Sequence, residues 1–367
     1  MTDASQEREW QEAGLYDPAW PHAERRLELL RWITEHGAPL EAMIAASARN
    51  QLTSIVGDRA LRLEPTLSAL DIAERTGLHL DDVRQLRRAT GFPMTPADVL
   101  SFSADEVATF QLFAVAAAFF SREELLHFVR VIAASVRRIA EAASEMFMRD
   151  VEAPLQQGER DELALARANL AGVEMVDNVT ALFEPLFRGH LQATTENSRR
   201  ARHGTNDYST VPLTIGFVDL SAFTFRSGEM RPDELLRLVM DFEAAAFDLV
   251  SDQGGRLIKV IGDEAMFSTV NPEEACAITV GLLHTTSDWG VTARGGLAHG
   301  PVVASGGDVY GPIVNLASRI TDIAVPGEVL VDAAVVQNTP QRRFEPAGRR
   351  LLKGFAEPVR LWSLAEM

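Results

Sequence analysis

RLIKVIGDEAMF, residues 256–267, holds one of the two lysines in the chain: of 35 basic residues only Lys259 and Lys353 are lysine, and the rest are arginine. A coding bias toward arginine does not choose which two positions stay lysine, and a compact ammonium differs chemically from a planar guanidinium fork. Both lysines are therefore candidates for chemistry. Residues 257–261 are apolar on both faces, as in a buried strand, Gly262-Asp263 supplies a turn, and residues 264–270 form a second strand. The reading is a β-hairpin with Asp263 at its tip. Upstream, LTIGFVDL (213–220) is another apolar strand, and it carries Asp219. Apolar strands seldom bury a carboxylate without a partner, so Asp219 and Asp263 together point to a shared cation. Gly-Asp alone is ordinary turn chemistry, and the motifs around it decide the matter.

The chain has 367 residues, enough for two domains, and a net charge of −17. That charge argues against a general binder of nucleic acid or anionic membrane, since both need a basic face. One cysteine, Cys276, excludes an internal disulfide framework and suits a reducing cytosol. It lies in an apolar helical run, EEACAITVGLL, where a packed thiol is expected rather than a nucleophile. The acidic start, MTDASQEREWQEAG, has no apolar signal core, and no run of about 18 apolar residues follows. A cytoplasmic protein without a transmembrane segment is expected.

Residues 20–190 read as helix almost throughout. Ser121-Arg-Glu-Glu124 has the pattern of a capping box, before a long amphipathic run that Pro154 is expected to stop. A second helical region follows from about residue 161 to 193. Between residues 67 and 92 the pattern is that of a helix-turn-helix whose second helix carries Arg84, Arg87 and Arg88. In so acidic a chain this reads as a packing unit, and no nucleic-acid partner is expected. Residues 196–208, ENSRRARHGTNDY, are polar and lose periodicity, the mark of a linker. The domain reading is thus 1–195 helical, 196–208 linker and 209–367 catalytic. The last part is expected to hold strands at 213–220, 291–298, 301–305, 328–331, 349–353 and 359–364 besides the hairpin. Its helices are expected at 233–252, 272–287 and 312–323.

FVDLSAF (217–223), KVIGD (259–263), DVYGPIVNLASR (308–319) and LLKG (351–354), in this order and spacing, resemble the class III nucleotidyl cyclase catalytic domain over residues 207–365. The resemblance implies an α+β chain: an N-terminal all-α regulatory domain, then a ferredoxin-like α/β sandwich. It implies an adenylyl cyclase acting on ATP at composite sites of a homodimer, with Mg²⁺ or Mn²⁺, two per site, held by Asp219, Asp263 and the Leu220 carbonyl. Hard cations of this kind prefer carboxylate oxygen and bring substrate phosphates with them.

Lys259 and Asp308 read as the adenine pair, because adenine offers an acceptor at N1 and a donor at its 6-amino group, and guanine the reverse. Asn315 and Arg319 sit four apart on one helical face. By the resemblance, Asn315 orients the ribose and Arg319 stabilises the five-coordinate phosphoryl group. Arg294 and Lys353, cations beside glycines, look like the holders of the departing phosphates, with Phe223 and Thr224 in the loop along them. The family usually has glycine where Ala222 stands, which leaves the geometry of that loop open. His299 reads as a turn histidine.

Over its whole length the chain resembles the pH-regulated soluble adenylyl cyclases of actinobacteria. His36, His79, His127 and His190, in or near helices, are the groups that gain charge in mild acid. Three other classes compete, among them a diguanylate cyclase of the same fold, which would carry a GG[DE]EF-type hairpin where this chain reads IGDEAMF. No G-K-[ST] loop supports a P-loop NTPase, and a catalytically silent ligand-binding or DNA-binding regulator is the alternative to the enzyme.

Overall fold

The computed structural model describes residues 3–157, 161–202, 209–221 and 230–365. The chain divides into two compact units, Met1–Phe187 and Arg188–Met367.

The second unit is built on one mixed sheet. Its strands are β1 (Val211–Leu220), β2 (Arg256–Ile261), β3 (Glu264–Thr269), β4 (Ala293–Ser305), β5 (Asp308–Tyr310), β6 (Val329–Val331), β7 (Phe344–Arg350) and β8 (Val359–Leu364). The spatial order is β2-β3-β1-β4-β6-β8-β7, with β5 added to β4, and only β4 and β6 pair in parallel. Among the described residues the unit also holds helices α1 (Pro232–Asp252), α2 (Pro272–Asp288), α3 (Pro312–Ile323) and α4 (Ala333–Asn338), after the C-terminal part of the helix Phe183–Ala201. The order β1-α1-β2-β3-α2-β4 with β2-β3-β1-β4 pairing is the ferredoxin-like arrangement that the motifs imply.

Helices α1 and α2 cover one face, where Phe242, Val250, Cys276 and Leu282 meet Val218, Leu220 and Phe267. Burial of Cys276 pushes its thiol up to about 12, so it is an inert packed group. The opposite face carries α3, whose Ala317 and Ile320 pack on Ile215, Phe217 and Met266.

Several details of the sequence reading are corrected. The strands expected at 291–298 and 301–305 are one continuous β4, although it contains Pro301. Pro301 pairs with Pro212, beyond the last β3 and β6 rungs on their neighbours, so neither missing N–H costs a bond to a further strand. The strand expected at 349–353 is displaced to Phe344–Arg350, leaving LLKG in the turn beyond it. β5 and α4 were not anticipated. β2, read as buried, is an edge strand with Ile261 61% exposed.

The first unit is all helical and has two cores. One gathers Trp10, Leu29, Ile33, Met43 and Val56 with Ala166, and the other Ile72, Val83, Leu86, Phe102, Phe110 and Leu126. Ser121 caps the helix Arg122–Phe147, its side chain accepting from Glu124 N at 3.3 Å. Pro154 does not stop the run. A π-turn at Met148–Glu152 widens the backbone ahead of it, and helix resumes at Ala153–Gln157. The extra residue relieves the clash between a proline ring and the preceding turn.

In the helix-turn-helix, Arg87 points inward. It bonds Glu106 at 2.6 Å and the Ser101 carbonyl at 3.0 Å, with its guanidinium 4.6 Å from the Phe92 ring centroid and 4.7 Å from that of Phe102. It is a packing residue. Residues 196–201, read as linker, continue the helix Phe183–Ala201, stabilised by local pairs such as Gln192 with Glu196 at 2.9 Å. Among the described residues no helix is long and apolar enough to cross a membrane.

Candidate active site

Antiparallel pairing sets the site out in rungs that cross four strands. Ile261, Glu264, Asp219 and Arg294 lie side by side, and two residues further along each strand come Lys259, Met266, Phe217 and Gly296. Directly paired residues share a face of the sheet, so Lys259, Glu264, Asp219 and Arg294 all lie on the face that carries α3. Gly296 makes the close approach of α3 possible: a Cβ there would stand 2.7 Å from the Ala317 carbonyl oxygen. Pro312 opens α3 after Gly311, whose φ of 134° suits glycine.

On the first rung, Arg294 Nε and Nη2 both lie 2.7 Å from Asp219 Oδ2. Arg294 Nη1 donates to the carbonyls of Asp322 at 2.9 Å and Ala324 at 3.4 Å. One side chain thus ties β1 to the end of α3. Arg319 Nη1 in turn meets Asp322 Oδ2 at 2.7 Å. The carboxyl of Asp263, at the hairpin tip, is raised from its ordinary value by burial first and then by Asp219, while a backbone hydrogen bond and Arg294 oppose. Glu264 is pushed up to about 7, again by burial first and then by Asp219, Asp322 and Asp263.

So Asp219, Asp263, Glu264 and Asp322 act on one another around Arg294. Such an excess of carboxylate suits a hard divalent cation. Leu220 N donates to the Asp263 carbonyl at 3.0 Å, joining the two aspartate segments, and Ser221 Oγ beside them is buried with no hydrogen-bond partner among the described residues. Among the described residues no group of three or more His, Cys, Asp or Glu side chains is placed to hold a metal ion.

On the second rung, Lys259 Nζ donates to Asp308 Oδ2 at 2.7 Å, and Val309 N donates to Asp308 Oδ1 at 2.8 Å. Burial works to raise the Asp308 carboxyl, but the Lys259 and Val309 hydrogen bonds hold it below its ordinary value. Asn315 stands exposed on α3, its side chain without a hydrogen bond among the described residues. Lys353 stands exposed in the turn after β7 and makes no ion pair among the described residues. Structure thus brings Asp219, Asp263, Arg294 and the end of α3 together, and separately Lys259 with Asp308. It does not join Lys353 to either group.

Phe223, Thr224 and Ala222 lie outside the described residues. His299 is a strand residue rather than a turn residue: it faces Thr214 across β1, with Nδ1 3.0 Å from Thr214 Oγ1, and burial lowers its pKa.

Glu264 and Asp322 escaped the sequence reading. Glu264 follows Asp263 directly, and alternation across the hairpin places it on the Asp219 rung. Asp322 stands three residues after Arg319, the spacing of a helical ion pair.

The sheet order agrees with the class that the motifs imply. Residues 206–365 match the adenylate and guanylate cyclase catalytic domain, and residues 14–192 the adenylate cyclase regulatory domain. An uncharacterised protein of Mycobacterium tuberculosis is 32% identical over 355 residues, covering 96% of this chain and 92% of that one. An adenylate cyclase of Streptomyces coelicolor is 30% identical over 307 residues, 78% of this chain and 77% of that one. A pH-sensitive adenylate cyclase of M. tuberculosis is 27% identical over 357 residues, 92% and 87%. The chain belongs to the adenylate cyclase family and is an enzyme of that class.

Proposed function

We propose that this enzyme converts ATP to 3′,5′-cyclic AMP and pyrophosphate at composite sites of a homodimer. The observation that carries the choice of base is the Lys259–Asp308 pair, a donor beside an ionised acceptor. Lys259 donates to adenine N1 and Asp308 accepts from the 6-amino group, whereas guanine would meet each with the wrong partner.

Asp219, Asp263 and the Leu220 carbonyl are the residues that would hold Mg²⁺ or Mn²⁺, two per site. Cations held there would lower the pKa of the ribose 3′-hydroxyl and offset the charge of the triphosphate. Arg319 lies against the α-phosphoryl group and offsets the charge that grows on it, and Asn315 orients the ribose. Arg294, Lys353 and the segment of Phe223 and Thr224 receive the pyrophosphate. Purified protein with Mn²⁺ and either ATP or GTP, followed by separation of cyclic nucleotides, tests the reaction. Cyclic AMP is expected, and no cyclic product from either nucleotide overturns the reading.

Residues 1–195 serve in this reading as the regulatory domain, 196–208 as the link and 209–367 as the catalytic domain, in a cytoplasmic protein. The pH-sensitive relative supports acid as the stimulus. The pH profile of the full chain against that of a fragment from residue 206, at matched dimer fraction, tests the regulation. Acid must activate the full chain much more steeply, and parallel profiles leave the first unit as a dimerisation scaffold.

A further inference from the structure

Arg256 opens β2 one rung from Lys259, paired with Ser268 across the hairpin. It is half-buried, and among the described residues it makes neither an ion pair nor a hydrogen bond. Burial lowers its pKa, and only the field of Asp308 works against that. A guanidinium partly withdrawn from water, with no protein acceptor among the described residues, is open to an anionic partner. The place where it stands explains what the acceptor is.

Arg256 lines a cavity of about 140 Å³ between the sheet and the last turns of the helix Phe183–Ala201, entirely within the second unit. Thr194, Asn197, Ser198, Arg202 and Ser268 share the wall, and among the described residues no carboxylate does. Two arginines and several hydroxyl- and amide-bearing side chains thus line one space, in a chain whose net charge is −17. Planar forks of this kind match the geometry of oxyanions.

We infer that this cavity is a binding site for a small oxyanion of the phosphate or carboxylate class, held by Arg256 with Ser198 and Asn197 as hydrogen-bonding partners. The site is separate from the groups assigned above to the triphosphate, and its existence does not depend on the proposed reaction. Because Arg256 also acts on Asp308, an anion on Arg256 is coupled electrostatically to the Lys259–Asp308 pair.

The test is calorimetric titration of the full chain with inorganic phosphate, at constant ionic strength and without nucleotide or divalent cation. Acetate is the competitor that separates a carboxylate ligand from a phosphate-specific one. One saturable phosphate per chain is expected. Arg256→Gln and, independently, Ser198→Leu, which fills the cavity and removes a hydroxyl, should each weaken it at least tenfold. Lys353→Gln should leave it unchanged. Absence of saturable binding in the parent protein, or binding lost in Lys353→Gln but retained in both cavity variants, overturns the assignment. Should Arg256→Gln fail to fold, Ser198→Leu alone decides.

Discussion

Arg294 and Asp219 are directly opposed on neighbouring strands, and the guanidinium closes on one carboxylate oxygen through two nitrogens at 2.7 Å. The pair is only partly exposed, at 28% and 16% of the side chains, so its attraction is less screened than that of a surface pair. Arg294 therefore competes with any cation that approaches Asp219. Arg294→Gln should bind Mn²⁺ about tenfold more tightly in the absence of nucleotide, measured by electron paramagnetic resonance of free Mn²⁺, while turnover of ATP falls. Weaker Mn²⁺ binding would show instead that Arg294 chiefly positions the carboxylate.

Lys259 and Asp308 form a more open pair, with side chains 40% and 28% exposed. An exposed ion pair contributes little to stability, roughly 0–1 kcal/mol. If its purpose is base reading, stability and activity should part company. Lys259→Ala should unfold within about 1 kcal/mol of the parent protein and yet lose on the order of a hundredfold or more in kcat/KM for ATP, as a site loses discrimination when a polar partner is removed. Retained kcat/KM would move base recognition elsewhere.

Asp332 gives a prediction for the fold. It caps α4 by accepting from Val335 N at 2.9 Å, and burial pushes its carboxyl up to about 6 in spite of the backbone donors around it. A raised folded-state pKa means that the folded protein binds the proton more tightly than the unfolded chain. The stability it contributes is complete below the unfolded value near 3.8 and is lost as pH rises through about 6. Asp332→Asn keeps an acceptor at the cap without the titration. Relative to the parent, the variant should gain stability between pH 4 and 7, by on the order of 2–3 kcal/mol. A stability difference independent of pH would remove Asp332 as the cause.

The hairpin was legible because two unlike signals coincide on it. Apolar residues 257–261 end at Gly262-Asp263, and a lysine survives there in a chain of arginines. The face-sharing of Lys259 and Asp219 follows from strand alternation once pairing is known, but pairing itself is a long-range fact. The Arg294–Asp219 bond was not legible for that reason: 75 residues separate the two, and only the β1–β4 register brings them together. Local rules also misled where context compensates. Pro301 stays within a strand because no third strand needs its N–H, and Pro154 stays within a helical run because a π-turn precedes it. Arg87, on the exposed side of a DNA-reading pattern by spacing, is drawn inward by Glu106 and two aromatic rings.

The composite site is the last expectation, and the geometry of α3 makes it testable. Lys259 and Ile261 lie on the sheet face that carries α3, at the free edge of the sheet, and Ile261 is 61% exposed. An apolar strand edge left uncovered is a surface that a second chain can bury. Arg319, meanwhile, is turned toward Asp322 of its own helix rather than toward Asp219 or Asp263. If each site takes Asp219 and Asp263 from one chain, and Lys259, Asp308, Asn315 and Arg319 from the other, a homodimer holds two sites. Asp219→Ala and Arg319→Ala proteins should then each be nearly inactive. Mixed, they should recover activity, because in a heterodimer both lesions fall in the same site and the other site is intact. Statistical mixing makes half of the dimers hybrid, each with one working site, so about a quarter of the parent activity is expected. An inactive mixture in which pull-down of differently tagged chains demonstrates heterodimers would place each site within a single chain.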